Sequence, residues 1–176
     1  MTLLPKLEKI DSRSELLEVI VHAKESLLIG EDTEAPSYFY RITPIGDRDV
    51  AVGIISGETG IKPQLLEFHG SYILGFDQQI IQVSLDPLEE RNALSLDGVF
   101  YEFIEHPAKN RLLLVHELGV VCVNTNLAVV WSVDTDILTS WKIVDDAIFL
   151  QDQESLGFRK VDLSSGLDVH SLSDGN

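Results

Sequence analysis

The stretch "LLVHELGVVCVNTNLAVVWSVDT", Leu113 to Thr135, decides how the chain reads. Apolar runs of four or five residues alternate with turns on small, acidic or amide residues, and the last run stops at Asp134. Runs this short, rich in valine and bounded by turn signals, predict β-hairpins instead of helices. Two other stretches share this grammar, "LEFHGSYILGFDQQIIQVSLDP" at 66–87 and "WKIVDDAIFLQDQESLGFRKVDLSSG" at 141–166. Asp86, Asp134 and Asp162 occupy corresponding strand ends, and His69 and His116 each stand just before the first turn. The unequal intervals between these aspartates mark self-similar hairpins, not a fixed-period array.

Working outward, one helix is signalled near the N-terminus. Ser12 and Glu15 have capping-box spacing, and Leu16, Ile20, Ala23 and Leu27 share one helical face. The pattern predicts a helix over about 13–28, with Gly30 as its stop. From Tyr38 onward the expected strands are 38–43, 50–56, 64–69, 71–76, 79–85, 99–105, 111–117, 120–125, 127–133, 139–144, 147–152, 158–163 and a last run near 167–172. Turns are expected at 57–60, 68–71, 86–92, 106–110, 117–119 and 164–166. The unbroken run Leu112–Val115 predicts a strand covered on both faces. The expectation is therefore a mainly β, antiparallel meander (a sandwich, a barrel or an open propeller-like sheet) with one N-terminal α-helix. It forms one domain over 1–176, with a helical segment at 1–30 and the meander at 37–170.

The run "VDDAIFLQDQESLGFRKVDLSSG", 144–166, resembles a blade of the quinoprotein-type or WD-type β-propellers. That resemblance implies a short strand, a polar turn, and a second strand ending in Asp before a Ser-Gly turn. No Trp follows Gly166 in this sequence, and the roughly 140 residues after the helix suffice for three blades, short of a closed ring. The resemblance therefore implies local hairpin geometry and no propeller function.

Composition narrows the function classes. The chain carries 29 acidic and 13 basic residues, a formal net charge of −16. From Arg111 onward there are 4 basic and 10 acidic residues, so the acidity is spread along the chain and not gathered in a tail. Such a surface repels phosphate backbones and anionic lipid, which argues against nucleic acid and membrane as partners and favours a basic protein. No apolar run approaches the roughly 18 residues of a membrane span. Met1–Glu15 lacks the apolar core and small-residue site of a secretory signal, so a cytoplasmic location is expected. The lone Cys122 has no partner for an internal disulfide and lies in an apolar run, which predicts an inert, buried thiol.

Catalytic patterns are weak. Asp134-x-Asp136 opens like a calcium loop, but Ile137 and Leu138 occupy the positions where further oxygen ligands belong. Aspartates at strand ends more often accept hydrogen bonds from turn amides. The five histidines (His22, His69, His106, His116 and His170) form no metal-binding spacing. His69 and His116 are the pair worth checking, and His106, before Pro107, reads as a turn residue. Ser56–Gly60 contains the glycines of a phosphate loop without its spacing or its following helix, and reads as a hairpin turn. No catalytic residue, metal or cofactor is implied. Tyr38, Phe39 and Tyr40 are consecutive and must face both sides of a strand, while Trp131 and Trp141 flank an acidic link. The candidate interaction residues are Tyr38, Tyr40, Asp134, Asp136, Trp141, Asp145 and Asp146.

The expected function is a non-catalytic protein–protein interaction module with an acidic surface, of immunity or inhibitor type, binding a basic partner. Two alternatives stand beside it. One is a subunit or regulatory module of a larger assembly, homo-oligomers included. The other is a ligand-binding or enzymatic barrel using scattered residues such as His69, His116 and Asp134.

Overall fold

The computed structural model describes residues 5–30, 37–43, 49–57, 59–106 and 110–169. The chain divides into two compact units, Met1–Leu96 and Asp97–Asn176. The described residues are mainly β with one short N-terminal α-helix, as expected, and most strand pairs are antiparallel.

The first unit opens with strand β1 (Lys6–Ile10), helix α1 (Arg13–His22), and strands β2 (Glu25–Ile29), β3 (Ser37–Thr43) and β4 (Val50–Gly57). These strands form a sheet in the order β1-β3-β4-β2, antiparallel except for the parallel pair β2–β4. Ser12 caps the helix as its spacing predicts, its Oγ accepting from Glu15 N–H at 3.2 Å. The helix ends at His22, six residues short of the expected Leu28. Glu25–Ile29 instead takes its backbone hydrogen bonds from Val50–Ile54. Leu27 and Ile29 join one core while Leu28 faces the helix side near Gly53, so strand parity serves these residues where helical periodicity had been read.

Leu16 packs against Ile10, Ile55 and Phe39 on one face of this sheet. On its other face Tyr40, Ile42, Val52 and Ile54 meet Leu74, Phe76, Ile81 and Val83 of the second sheet. That second sheet is a consecutive antiparallel meander of β5 (Gln64–Phe68), β6 (Ser71–Phe76), β7 (Gln79–Leu85) and β8 (Leu88–Ser95). Its turns are two residues long: His69-Gly70, Asp77-Gln78 and the cis-bonded Asp86-Pro87. The expected long turn at 86–92 is thus a two-residue turn followed by a strand. β8 is an edge strand with most side chains exposed, so it needs no apolar alternation.

The second unit contains a four-stranded meander, β9 (Phe100–Glu105), β10 (Arg111–His116), β11 (Gly119–Asn124) and β12 (Val129–Asp134). A three-stranded meander follows, β13 (Leu138–Val144), β14 (Ala147–Asp152) and β15 (Arg159–Asp162). Leu113, Val115, Val120, Cys122 and Trp131 of one sheet pack on Leu138, Ile148, Leu150 and Val161 of the other. All four residues of the Leu112–Val115 run are fully buried, as a strand covered on both faces requires. The expected last strand reduces, through Val169, to an isolated bridge between Val161 and Asp168; the rest of that run, His170 included, lies outside the described residues.

A turn at 162–166 ties the two sheets of this unit together. One carboxylate oxygen of Asp162 accepts from Ser164 N–H and Oγ–H (3.1 and 2.6 Å) and from Ser165 N–H and Oγ–H (2.9 and 2.7 Å). The turn presents the Leu163 carbonyl to Trp131 Nε1 (3.1 Å) and His106 Nε2 (2.8 Å). His106 follows β9 in the connection expected at 106–110, and there it is buried and bonded. Gly166 lies against the Trp131 ring, so the tryptophan that covers this Ser-Gly turn comes from the preceding sheet.

Gly166 and Gly53, both closely approached, predict different costs. A Cβ on Gly166 (φ +71) would stand 2.7 Å from Trp131 Cγ and Cδ2, a rigid ring. On Gly53 it would meet the ends of Leu16 and Ile20 at 2.9 and 3.1 Å, methyl groups able to shift. Gly166→Ala should therefore cost about 2–4 kcal/mol and Gly53→Ala within about 1 kcal/mol, read as urea midpoints of the two variants.

Candidate functional site

In an up-and-down meander every second turn lies at the same end of the sheet. Applied to β9–β15, this rule brings together the entry to β9 and the β10–β11, β12–β13 and β14–β15 connections. Those segments carry Asp97, Glu117, Asp134, Asp136, Asp152 and Glu154. Backbone bonds from Leu138 N–H to the Glu117 carbonyl (2.7 Å) and from Thr135 N–H to the Leu118 carbonyl (2.9 Å) bind the connections to one another. The product is an acidic end assembled from four separate parts of the sequence.

The carboxylates there are not equivalent. Asp136 Oδ1 accepts from Ile137 N–H at 2.8 Å, and Asp152 Oδ1 from Ser155 N–H at 2.8 Å. The hydrogen bonds from Ser155 hold the Asp152 carboxyl below its ordinary pKa. Asp97, Glu117, Asp134 and Glu154 have no side-chain hydrogen bond or ion pair among the described residues. A cation stands close by. Arg159 donates to both oxygens of Asp168 (2.6 and 3.1 Å) and to the Asp134 carbonyl (2.8 Å), so its charge is committed mainly to Asp168.

His116 ends β10 behind this acidic rim. It is 2% exposed, and its Nδ1 has no hydrogen-bond partner among the described residues. Burial pushes its pKa down, opposed by Asp97, Asp134 and Glu117. His69 belongs to the other unit, in the β5–β6 turn (φ 49), with its ring edge-on to Phe68. The two histidines do not hold corresponding places, for His116 closes a strand and His69 occupies the turn itself.

The remaining candidates divide by environment. Tyr40 is buried in the first unit's core, Tyr38 is half-buried under the Lys9 ammonium (4.1 Å to the ring centroid), and Phe39 packs on the helix side. Both faces of the Tyr38–Tyr40 run are thus occupied by the chain's own elements. Trp141 stacks on Tyr101 (centroids 5.6 Å apart), donates to the Glu102 carboxylate and packs beside the core that holds Trp131. Asp145 and Asp146 form the exposed β13–β14 turn, Asp145 with φ 52, at the end of the unit opposite Asp134. Ser56 and Gly57 hold no free phosphate cradle, because they donate to the two oxygens of Asp77 (2.9 and 2.8 Å). Cys122 is fully buried, which pushes its thiol pKa up to about 11. Among the described residues no group of three or more His, Cys, Asp or Glu is placed to hold a metal ion, and no helix is long and apolar enough to cross a membrane.

Sequence reasoning singled out Asp134 and Asp136 but missed Asp97, Glu117 and Glu154. The signal that finds them is the parity of the hairpins, counted from one strand to the next.

The sequence matches no family model and no curated protein. Among solved structures, it is similar to Kluyveromyces lactis Hsv2 (10% identity, TM-score 0.37, 62% of this chain and 37% of that one). It is also similar to the Neurospora crassa Pan2 WD40 domain (8% identity, TM-score 0.44, 79% and 49%). A third is a putative 6-phosphogluconolactonase from Bacteroides uniformis (18% identity, TM-score 0.46, 79% and 48%). The chain spans half or less of the length of each of these three.

Acid should weaken the fold in two windows. With a folded pKa below 6.5, His116 leaves the unfolded chain to take up the proton first; its contribution is whole above pH 6.5 and falls away below it. Asp162, held at about 2 against an ordinary 3.8 by the Ser164 and Ser165 hydrogen bonds, contributes above pH 3.8 and loses that contribution as the pH falls towards 2. In urea midpoints measured across pH, His116→Phe should remove the first fall and Asp162→Asn should lessen the second. Cys122 should resist alkylation in the folded protein and react once urea unfolds it.

Proposed function

We propose that the chain is a non-catalytic protein–protein interaction module whose acidic end engages a basic protein, in the manner of an immunity or inhibitor-type protein acting in the cytoplasm. The observation that carries this reading is the convergence of Asp97, Glu117, Asp134, Asp136, Asp152 and Glu154 on one end of the second unit, four of them without a side-chain partner. Structural carboxylates are consumed by the turns they stabilise, as Asp77 and Asp162 are. Carboxylates without partners at one end of the unit give that end a negative field, which a basic partner complements. The strand ends hold the backbone beneath them, so little ordering is needed on binding.

An array of basic folded proteins, probed at low and high ionic strength, tests this reading. The chain should bind a basic member saturably, with affinity falling as salt rises. The triple reversal Asp97→Lys, Asp134→Lys, Glu154→Lys avoids the turn-capping aspartates. It should weaken that binding by at least about tenfold while the urea midpoint stays unchanged. Binding indifferent to both salt and the reversal, or no saturable basic binder, would overturn the proposal.

A further inference from the structure

Against the acidity of the chain, one concave site is cationic. In the first unit a cavity of about 330 Å³ is lined by Leu7 and Lys9 of β1, Tyr40 of β3, and Lys62, Pro63 and Leu65 leading into β5. That volume is at the lower end of the range for small-ligand sites, about 300–1,000 Å³. Strand geometry accounts for how the lining converges. Lys9 pairs directly with Tyr40 across β1 and β3, so their side chains share a face, and Leu7 lies two residues back on that same face. Pro63 and Leu65 bring the second apolar wall.

Three polar groups meet this space. Neither Lys9 nor Lys62 is paired with a carboxylate among the described residues, although acids outnumber bases 29 to 13 in the sequence. The Lys9 ammonium is held over the Tyr38 ring, which restrains a side chain that would otherwise lose much entropy on binding. The Tyr40 ring is largely buried, while its hydroxyl is not among the buried polar atoms and makes no hydrogen bond to a described residue, which leaves it open to a ligand. Two ammonium groups and an available O–H donor suit an anion. Leu7, Pro63 and Leu65 call for an apolar body attached to it. The described lining includes no arginine fork or helix N-terminus of the kind that phosphate sites use.

We propose that this cavity binds a small organic carboxylate, its anionic head held by Lys9, Lys62 and the Tyr40 hydroxyl and its apolar body covered by Leu7, Pro63 and Leu65. The lining residues all belong to the first unit and include none of the acidic end, so this site and the proposed basic-partner surface stand or fall separately.

Titration of the ¹⁵N-labelled full chain, followed in amide spectra, tests the site with benzoate, its neutral isostere benzamide, and inorganic phosphate. Benzoate should shift the amides around Lys9, Tyr40 and Leu65 saturably, with benzamide and phosphate at least about tenfold weaker. Lys9→Gln and Lys62→Gln should each weaken benzoate several-fold, and Tyr40→Phe should do so with the ring kept in place. Unchanged peak dispersion in each variant shows that the fold is retained. Absence of a saturable benzoate shift, benzamide binding as well as benzoate, phosphate binding as tightly, or indifference to both lysine substitutions would each overturn the proposal.

Discussion

Strands β4 and β10 are buried over almost their whole length, and much of this chain's architecture follows from that constraint. A strand covered on both faces leaves no side-chain position for charge. Its backbone groups are satisfied by neighbours on either side: β3 and β2 for β4, β9 and β11 for β10. Charge is accordingly displaced to turns and edge strands. In β4 one parity packs under α1 and the other on the second sheet, and a side chain at Gly53 would press on the helix. An acidic sequence folded under this rule collects carboxylates at the ends of its sheets, since its strand interiors cannot hold them.

The same constraint explains what was legible in the sequence. Strands β6, β7 and β14 match their expected limits to the residue, because each is an apolar run bounded by a two-residue turn. The elements missed or misread lie at sheet edges. β8 exposes most of its side chains, so its charged residues resembled a turn. β2 continued the helical spacing through Ala23 and Leu27, and only its pairing with β4 makes it a strand. β1, with Lys6, Glu8 and Lys9 among five residues, has too little apolar pattern to declare itself.

Sites were less legible than strands because they are assembled across hairpins. Asp134 and Asp136 are adjacent enough to be noticed, whereas Asp97 and Glu154 join them only through the up-and-down path of the chain. Lys9 and Lys62 converge because β1 lies beside β5, a tertiary fact with no local signature. Tyr40 was noticed for its neighbours Tyr38 and Phe39. Its place on the wall of the cationic cavity comes from its pairing with Lys9 across β1 and β3.

Aspartate serves two different purposes in this fold, and hydrogen bonding separates them. Asp77 joins the two sheets of the first unit through Ser56 and Gly57, and Asp162 gathers Ser164 and Ser165 so that Leu163 can receive Trp131 and His106. These carboxylates satisfy backbone and hydroxyl donors that would otherwise be left open at a turn, and the Asp162 pKa of about 2 records how strongly its charged form is held. Asp97, Asp134 and Glu154 satisfy no such donor. Their charge adds to an already anionic surface without satisfying any donor of the fold, so the same residue type that closes one turn leaves another bare.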